Sequence, residues 1–435
     1  MNTIEAEDYI YKSYLKASQH LHYNDKDSEK RNPRYTEATI KQLCHTPCVV
    51  VTGSKGKGSV AMMLNKILQT KFHVGLMTSP HISDFRERIR VDDELIDPND
   101  FVRIVEEISE DIDAIDASIP VDRYISPMGI QTIIALKYFT QKHTLFNVFE
   151  CGKGAKYDDV NNVIHDFAII NTIFLEHTRE LGNTLAEIAN DKSFVIRSGM
   201  RRVYVGEQSP EAMKVIRQRA KECQVELREY GKDFYCENVQ FSFSGMIFDI
   251  VIDSKRFNRI QIPLLGEHQA KNCALAMCLC NDIIEKLDYD SIRASLLELK
   301  WFGRMEILSD SPFVLLDACI NKESCINVKK TLSYLKISCY CLVLGIPNDK
   351  DFLGVAKEMS FGAAKILLTK TNNPHYFFSD KQVYDLNCEG IVAQWFDCVE
   401  DSLTAARSYK KPIVILGTTS LISEIHNICQ NKFVF

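Results

Sequence analysis

What this sequence is short of narrows its class first. The longest unbroken apolar run, Cys273 to Cys280, has eight residues, far below the roughly 18 that a membrane-spanning helix needs. The opening residues, MNTIEAEDYIYKSYLK, are acidic and then mixed, with no apolar core, so no secretory leader is expected. Internal repeats and low-complexity tracts are missing as well, which sets solenoids and compositionally biased chains aside. There is no excess of positive charge: 52 Lys and Arg stand against 58 Asp and Glu, a net charge of −6. A broad, charge-driven nucleic-acid surface is therefore not expected. That sum says nothing of a local basic pocket for a nucleotide.

Metal-finger spacing is also absent. Cys44-His45-Thr46-Pro47-Cys48 looks like half a zinc site, but no second Cys/His pair follows at the right distance. The 15 cysteines do not suggest a disulfide scaffold, because a chain this long builds its own core. Several lie in apolar stretches, as in Cys273 to Cys280 and Cys339-Tyr340-Cys341, and read as small buried hydrophobes. Reduced thiols without an export signal predict the cytoplasm.

What is present is alternation. The first forty-odd residues read as helix, with a polar loop from Asn24 to Arg34. Buried-strand runs then occur at Cys48 to Val51, Val74 to Met77, Phe146 to Phe149, Phe167 to Thr172 and Val203 to Val205, with helical spacing between most of them. Such alternation predicts a mostly parallel sheet covered on both faces. From Asp233 to Ile262 short alternating segments suggest an antiparallel insertion, and helical spacing returns at His268 to Glu285. A second strand–helix series follows, with strands at Phe313 to Asp317, Cys341 to Gly345, Ile366 to Thr369 and Ile413 to Gly417. The fold class is thus α/β. A P-loop-type domain with an N-terminal helical segment and an antiparallel insertion spans residues 1–298. A smaller Rossmann-like α/β domain spans 304–435, and the boundary falls in Leu299 to Arg304. Both place their strand-end loops where open parallel sheets bind ligands.

The first such loop is Gly53-Ser54-Lys55-Gly56-Lys57-Gly58-Ser59, between a strand and a helix. Its glycines let backbone N–H groups curl around phosphate oxygens, and the helix N-terminus adds a favourable dipole. Lys57 is placed to bridge terminal phosphates and Ser59 to reach a magnesium ion. The strict P-loop pattern is not met: Val51 stands where its first glycine belongs, and Gly58 separates Lys57 from Ser59. Glu150 closes the strand Phe146 to Phe149 beside a second glycine-bearing loop and offers a hard carboxylate for Mg²⁺. His177, after the strand Phe167 to Thr172, is equally compatible with a ligand and with a structural histidine.

From about Thr46 onward the motifs, in order, resemble the folylpolyglutamate synthase and dihydrofolate synthase branch of the Mur ligase superfamily. The resemblance lies in Thr52 to Ser59, in Thr78-Ser79-Pro80-His81 with Phe85-Arg86-Glu87-Arg88-Ile89, and in Glu150 to Asn161. It continues through Glu176-His177-Thr178, Ile188 to Lys192, Gly266 to Asn272, Trp301 to Glu306, Leu316 to Asn321 and Asp349-Lys350-Asp351. It implies ATP-dependent amide ligation: a carboxylate attacks the γ-phosphate, and the amine of an amino acid, glutamate in the family, displaces phosphate from the acyl phosphate. Lys57, Lys192 and His177 then take catalytic roles. ATP contacts fall to Gly53, Ser54, Lys55, Gly56, Lys57, Gly58 and Ser59, with Asn272, Arg304 and Asp317. The metal positions, two Mg²⁺ sites, fall to Ser59, Ser79, Glu150, His177 and Lys192. The substrate side falls to Phe85, Arg88, Asp158, Asn161 and Ile320. In the family the lysine matching Lys192 is carbamylated by CO₂, which requires a depressed pKa. The partners implied are a small carboxylic acid and an amino acid, with no nucleic acid and no membrane, acting on a monomer in one-carbon metabolism.

Three departures concern the substrate side. Ile320 replaces a histidine, Lys322 replaces a proline, and Gly129 stands where many relatives carry glutamate, so a polar contact there is expected to be lost. Lys55, Lys156 and Glu176 also differ from the family's Asn, Arg and Asp. Three readings stay open from sequence: a ligase of folate type or derived from it, an ATP-binding protein that no longer ligates, and a P-loop NTPase switch or motor.

Overall fold

The computed structural model describes residues 1–21 and 30–430. The expected polar loop from Asn24 to Arg34 lies partly outside these. Two compact units result. The first comprises residues 1–235, 250–256 and 271–295; the second comprises 236–249, 257–270 and 296–435.

The first unit is built on an eight-stranded sheet. Its strands are β1 (Cys48–Thr52), β2 (Val74–Met77), β3 (Ile89–Val91), β4 (Glu94–Leu95), β5 (Phe146–Glu150), β6 (Phe167–Ile170), β7 (Arg202–Val205) and β8 (Glu226–Glu229), in the order β4-β3-β2-β5-β1-β6-β7-β8. The pairs from β2 to β8 are parallel, while β3 and β4 close one edge antiparallel. Every residue of β1, β2, β5 and β6 is buried. That is why these strands read as unbroken apolar runs: helices cover both faces. β1 sits between β5 and β6, so the connection to β2 departs on one side and the later strands extend on the other. Strand order reverses there, and a crevice opens beyond the carboxyl end of β1, where such sheets bind ligands.

The helices around this sheet are specified locally. Thr3–Ser18 begins at Asn2, whose side chain accepts from the N–H of Ile4 and Glu5 while the Glu5 carboxylate accepts from the Asn2 N–H. This reciprocal cap satisfies donors that the first turn would leave unpaired. The helix packs on Pro98–Ser118 and is tied to it by Lys12–Asp113 and Lys16–Asp116 ion pairs. Pro127–Gln141 starts at Ser126, with proline at its first position, where the missing N–H costs nothing.

Residues 234–262 form a three-stranded sheet of β9 (Phe234–Ser242), β10 (Gly245–Ile252) and β11 (Lys255–Ile262), in the order β11-β10-β9. Two-residue connections join the strands, as in antiparallel hairpins. In the second unit a six-stranded sheet follows: β12 (Glu306–Asp310), β13 (Phe313–Asp317), β14 (Tyr340–Gly345), β15 (Ala363–Thr369), β16 (Gln394–Phe396) and β17 (Ile413–Gly417). Its order is β12-β13-β17-β14-β15-β16, and all pairs but β12–β13 are parallel. The α/β class with two mostly parallel sheets and a small antiparallel one agrees with expectation. One cysteine does not: Cys339 is exposed, as is Cys388, while Cys273, Cys278, Cys280 and Cys341 are buried. Cys339 precedes β14 and so escapes its core. Among the described residues no helix is long and apolar enough to cross a membrane.

Candidate active site

The glycine-rich loop leaves β1 at the switch point and enters the helix Lys57–Leu68. Gly56 caps that helix at φ +77. The loop is fastened from β6 and beyond. Ser54 donates its N–H to the Thr172 carbonyl at 2.9 Å and exchanges hydrogen bonds with Phe174 through its hydroxyl. Asn171 donates to the Lys55 carbonyl at 3.0 Å and to Asn272 Oδ1 at 2.8 Å. The expected nucleotide residue Asn272, buried in the helix Glu267–Ile283, is thereby joined to the loop. Asn171 itself was not singled out by sequence. The signal was there: a polar residue closing a buried strand next to the loop, as Glu150 does on the other side.

Two ammonium groups converge beneath the loop. Lys57 Nζ donates to the Gly53 carbonyl at 3.0 Å, and Lys192 Nζ donates to the same carbonyl at 2.9 Å. Lys192 also donates to the Lys153 carbonyl at 2.9 Å and ion-pairs with Glu176 Oε1 at 3.0 Å. Its side chain is completely buried, at 0% exposure. Burial and the neighbouring Lys57 charge push its pKa below the ordinary lysine value, while Glu176 and Asp191 pull it back. Asp191, held by the Ala155 N–H at 2.8 Å, is raised by burial.

Glu150 ends β5, buried, with Oε2 accepting from the Ser79 N–H at 2.9 Å. Ser59 is buried in the first turn of the loop's helix. His177 follows β6, half exposed and in the left-handed region at φ 45, an uncommon conformation for a residue with a side chain. Burial lowers its pKa. Among the described residues no three His, Cys, Asp or Glu side chains gather as a metal cage. Glu150 is joined to the Ser79 backbone at the end of β5, and the Ser59 and Ser79 hydroxyls with its carboxylate offer hard oxygens. That fits Mg²⁺, which draws most of its ligands from phosphates and water and few from protein.

The substrate-side residues divide. Arg88 is held by His81 and Gln131 and lies over the Phe85 ring at 4.9 Å. His81, buried beside that guanidinium, is pushed down to about 4. Asp158 is consumed locally, accepting from the Gly152 N–H at 2.8 Å and the Val160 N–H at 3.1 Å. Asn161 donates to the Phe194 carbonyl at 3.2 Å, while its buried Oδ1 has no partner among the described residues.

At Gly129 there is no room for a side chain: a Cβ there would stand 2.6 Å from Asp159 Oδ1. Asp159 is buried and accepts from the Thr36 hydroxyl at 2.6 Å. Burial pushes its pKa up to about 6. The ionised form is thus disfavoured in the folded state, and stability falls as pH rises from about 4 to about 6. Asp159→Asn is expected to remove that slope. The two-unit shift is worth on the order of 3 kcal/mol between those limits, read by urea unfolding at pH 4 and pH 7.

In the second unit Asp317 ends β13 and accepts from the Met305 N–H at 2.8 Å, and Ala318 donates to the Gly303 carbonyl at 2.8 Å. These bonds fold the turn carrying Arg304 back onto the strand end, so the two expected nucleotide residues of this unit stand together. Ile320 is half-buried in the next loop, before the helix Lys322–Tyr334 capped by Asn321.

Residues 51–280 match the model of the Mur ligase middle domain. The chain is 28% identical to the dihydrofolate synthase/folylpolyglutamate synthase of Bacillus subtilis (strain 168), over 86% of this chain and 88% of that protein. It is 25% identical to the folylpolyglutamate synthase of Lacticaseibacillus casei over the same shares. In three dimensions it is similar to Mycobacterium tuberculosis folylpolyglutamate synthase complexed with ADP and AMPPCP, with a TM-score of 0.84 and 22% identity, covering 94% of this chain and 97% of that one. An FPGS–AMPPCP–folate complex aligns with a TM-score of 0.83 and 24% identity, over 99% and 100%. At these identities the structural likeness speaks for the fold.

Proposed function

This chain belongs to the Mur ligase family, in its folylpolyglutamate/dihydrofolate synthase branch, and from that premise we propose that it is an ATP-dependent amide ligase. It joins the carboxylate of a folate-like substrate, dihydropteroate or a folylglutamate, to an amino acid, glutamate first among them, through an acyl phosphate. The observation that carries this reading is the convergence of Lys57 and Lys192 on the Gly53 carbonyl, under a phosphate-type loop at the sheet's switch point.

The chemistry asks for two anions to be brought together and for charge spreading over the transferred phosphoryl to be stabilised in line. Loop N–H groups and the helix N-terminus receive the phosphates. Lys57 moves from Gly53 to the terminal phosphates, a short step for a flexible ammonium. Ser59, Ser79, Glu150 and His177 would hold Mg²⁺, which would neutralise phosphate charge when bound. Lys192 would join them as a carbamate: burial lowers its pKa and so favours the neutral amine, which adds to CO₂ with loss of a proton and becomes an anion. Asn272, Arg304 and Asp317 are the further nucleotide residues of this reading. We take these domains as 1–298 and 304–435. Phe85, Arg88, Asp158, Asn161 and Ile320 face the substrates.

A second reading, ligation of a different carboxylate and amino acid, is favoured by Ile320, which offers neither charge nor a hydrogen bond where relatives carry histidine. Both readings meet one experiment. Dihydropteroate, tetrahydrofolate and unrelated carboxylic acids are each incubated with Mg-ATP and all the amino acids, and products are weighed by mass spectrometry. Phosphate release requiring both a carboxylate and an amine is expected, with a product equal to their sum less water. Release that needs neither would make the protein an NTPase, and no release would make it an inactive relative.

A further inference from the structure

Arg88 is a partly buried guanidinium held entirely by neutral groups. Nε donates to His81 Nδ1 at 2.8 Å, Nη1 donates to Gln131 Oε1 at 2.9 Å, and the Phe85 ring lies 4.9 Å beneath. Among the described residues it makes no ion pair. Three carboxylates are near enough to feel its charge: Glu7, Glu87 and Glu150. Glu87 accepts from the N–H groups of Ile82, Ser83 and Asp84. Glu150 accepts from the Ser79 N–H. Glu7 stands on the N-terminal helix and does not reach ion-pair distance. A cation withdrawn from water and left uncancelled is costly, and a pocket that keeps one is prepared for an incoming anion.

Gln131 sets how that cation is kept. It is fully buried in the helix Pro127–Gln141, and both ends of its amide are used. Nε2 donates to the Thr78 carbonyl at 3.2 Å, so Oε1 is the atom turned to Arg88. The neighbour of Thr78 is Ser79, whose N–H engages Glu150. One amide therefore fixes the guanidinium relative to the strand end that carries the Mg²⁺ candidates. A carboxylate in its place would hold Arg88 more strongly and also neutralise it. A glutamine aims the charge without cancelling it.

We propose that Gln131 is a positioning residue that holds the Arg88 guanidinium, uncancelled, to receive a carboxylate of the acyl substrate. This rests on the ligase reading above. The test exploits the opposite demands of structure and recognition. Gln131→Glu strengthens the bond to Arg88 but gives up the donor to the Thr78 carbonyl, so a purely structural role predicts a lower Tm with all three KM values unchanged in the folded enzyme. The proposal predicts that KM for the acyl substrate rises at least tenfold, while KM for ATP and for the amino acid stays within twofold. Gln131→Ala, which frees Arg88 to swing, is expected to lower kcat as well. Unchanged acyl KM in Gln131→Glu, or a parallel rise in all three KM values, would overturn it. If the wild type turns over none of the carboxylic acids, the ligase reading fails by itself, and the same variants are compared for benzoate binding by saturation-transfer NMR. Binding by the wild type and not by Gln131→Glu keeps the proposal; equal binding, or none by either, ends it.

Discussion

Lys192→Ala is expected to lower ligation by about 10²–10³-fold or more, the scale seen when one preorganised electrostatic group is removed from a site. The side chain touches three things at once: the Gly53 carbonyl, the Lys153 carbonyl and Glu176. Its loss leaves the Lys153 carbonyl and the Glu176 carboxylate without their cation, while Lys57 still reaches the Gly53 carbonyl, and breaking a buried pair in this way costs about 3–5 kcal/mol. Stability and activity must therefore be separated. Lys192→Arg keeps a cation for Glu176 but cannot form a carbamate at neutral pH, because arginine stays charged. It is expected to fold and to remain inactive in ADP-release and product assays. Small molecules then ask which charge the site needs. If the working form is the carbamate, acetate or formate restores part of the Lys192→Ala rate and methylammonium does not. Rescue by the amine alone would mean that an ammonium does the work, and normal turnover by Lys192→Ala would remove the residue from the mechanism.

The positions of the central strands were legible because burial on both faces writes itself as apolar runs. Phe313–Asp317 and Ile413–Gly417 have the expected ends to the residue. The edges were not legible. β3, β4, β8 and β16 are two to four residues long, and β8 reads Glu-Leu-Arg-Glu; an edge strand needs no continuous apolar face and is often charged. The site divides along the same line. The loop 53–59 and Glu150 announce themselves by local pattern, a glycine-rich turn and a carboxylate closing a buried strand. Gln131 and Asp159 act through partners more than 40 residues away in sequence, and nothing local marks them, whereas Asn171 closes a buried strand and differs from Glu150 only in carrying no charge. Gly129 is the clearest case: the space that a side chain there would need is taken by Asp159, from another element.

Gly56→Ala is expected to weaken ATP binding by at least about 100-fold and to lower Tm by more than a conformational penalty alone. Two separate penalties meet at this residue. Its φ of +77 lies in the left-handed region, where a side chain costs roughly 1–2 kcal/mol. A Cβ would also stand 2.6 Å from Asn171 Nδ2 and 2.9 Å from Asn272 Nδ2. Those amides hold the Lys55 carbonyl and each other, so they have to move, and the loop's N–H groups lose the curvature that receives phosphate. Gly199 separates the two penalties. It has φ +91, and a Cβ there meets nothing within 4 Å. Gly199→Ala should therefore lose only the conformational part, a Tm lower by a few degrees with nucleotide affinity intact. Calorimetric titration with a non-hydrolysable ATP analogue, run beside thermal unfolding, reads both. Should Gly56→Ala bind nucleotide as the wild type does, the loop does not receive phosphate, and the convergence of Lys57 and Lys192 beneath it needs another explanation. An equal loss of affinity in both variants would trace the effect to backbone strain felt at a distance and not to the Asn171–Asn272 contact.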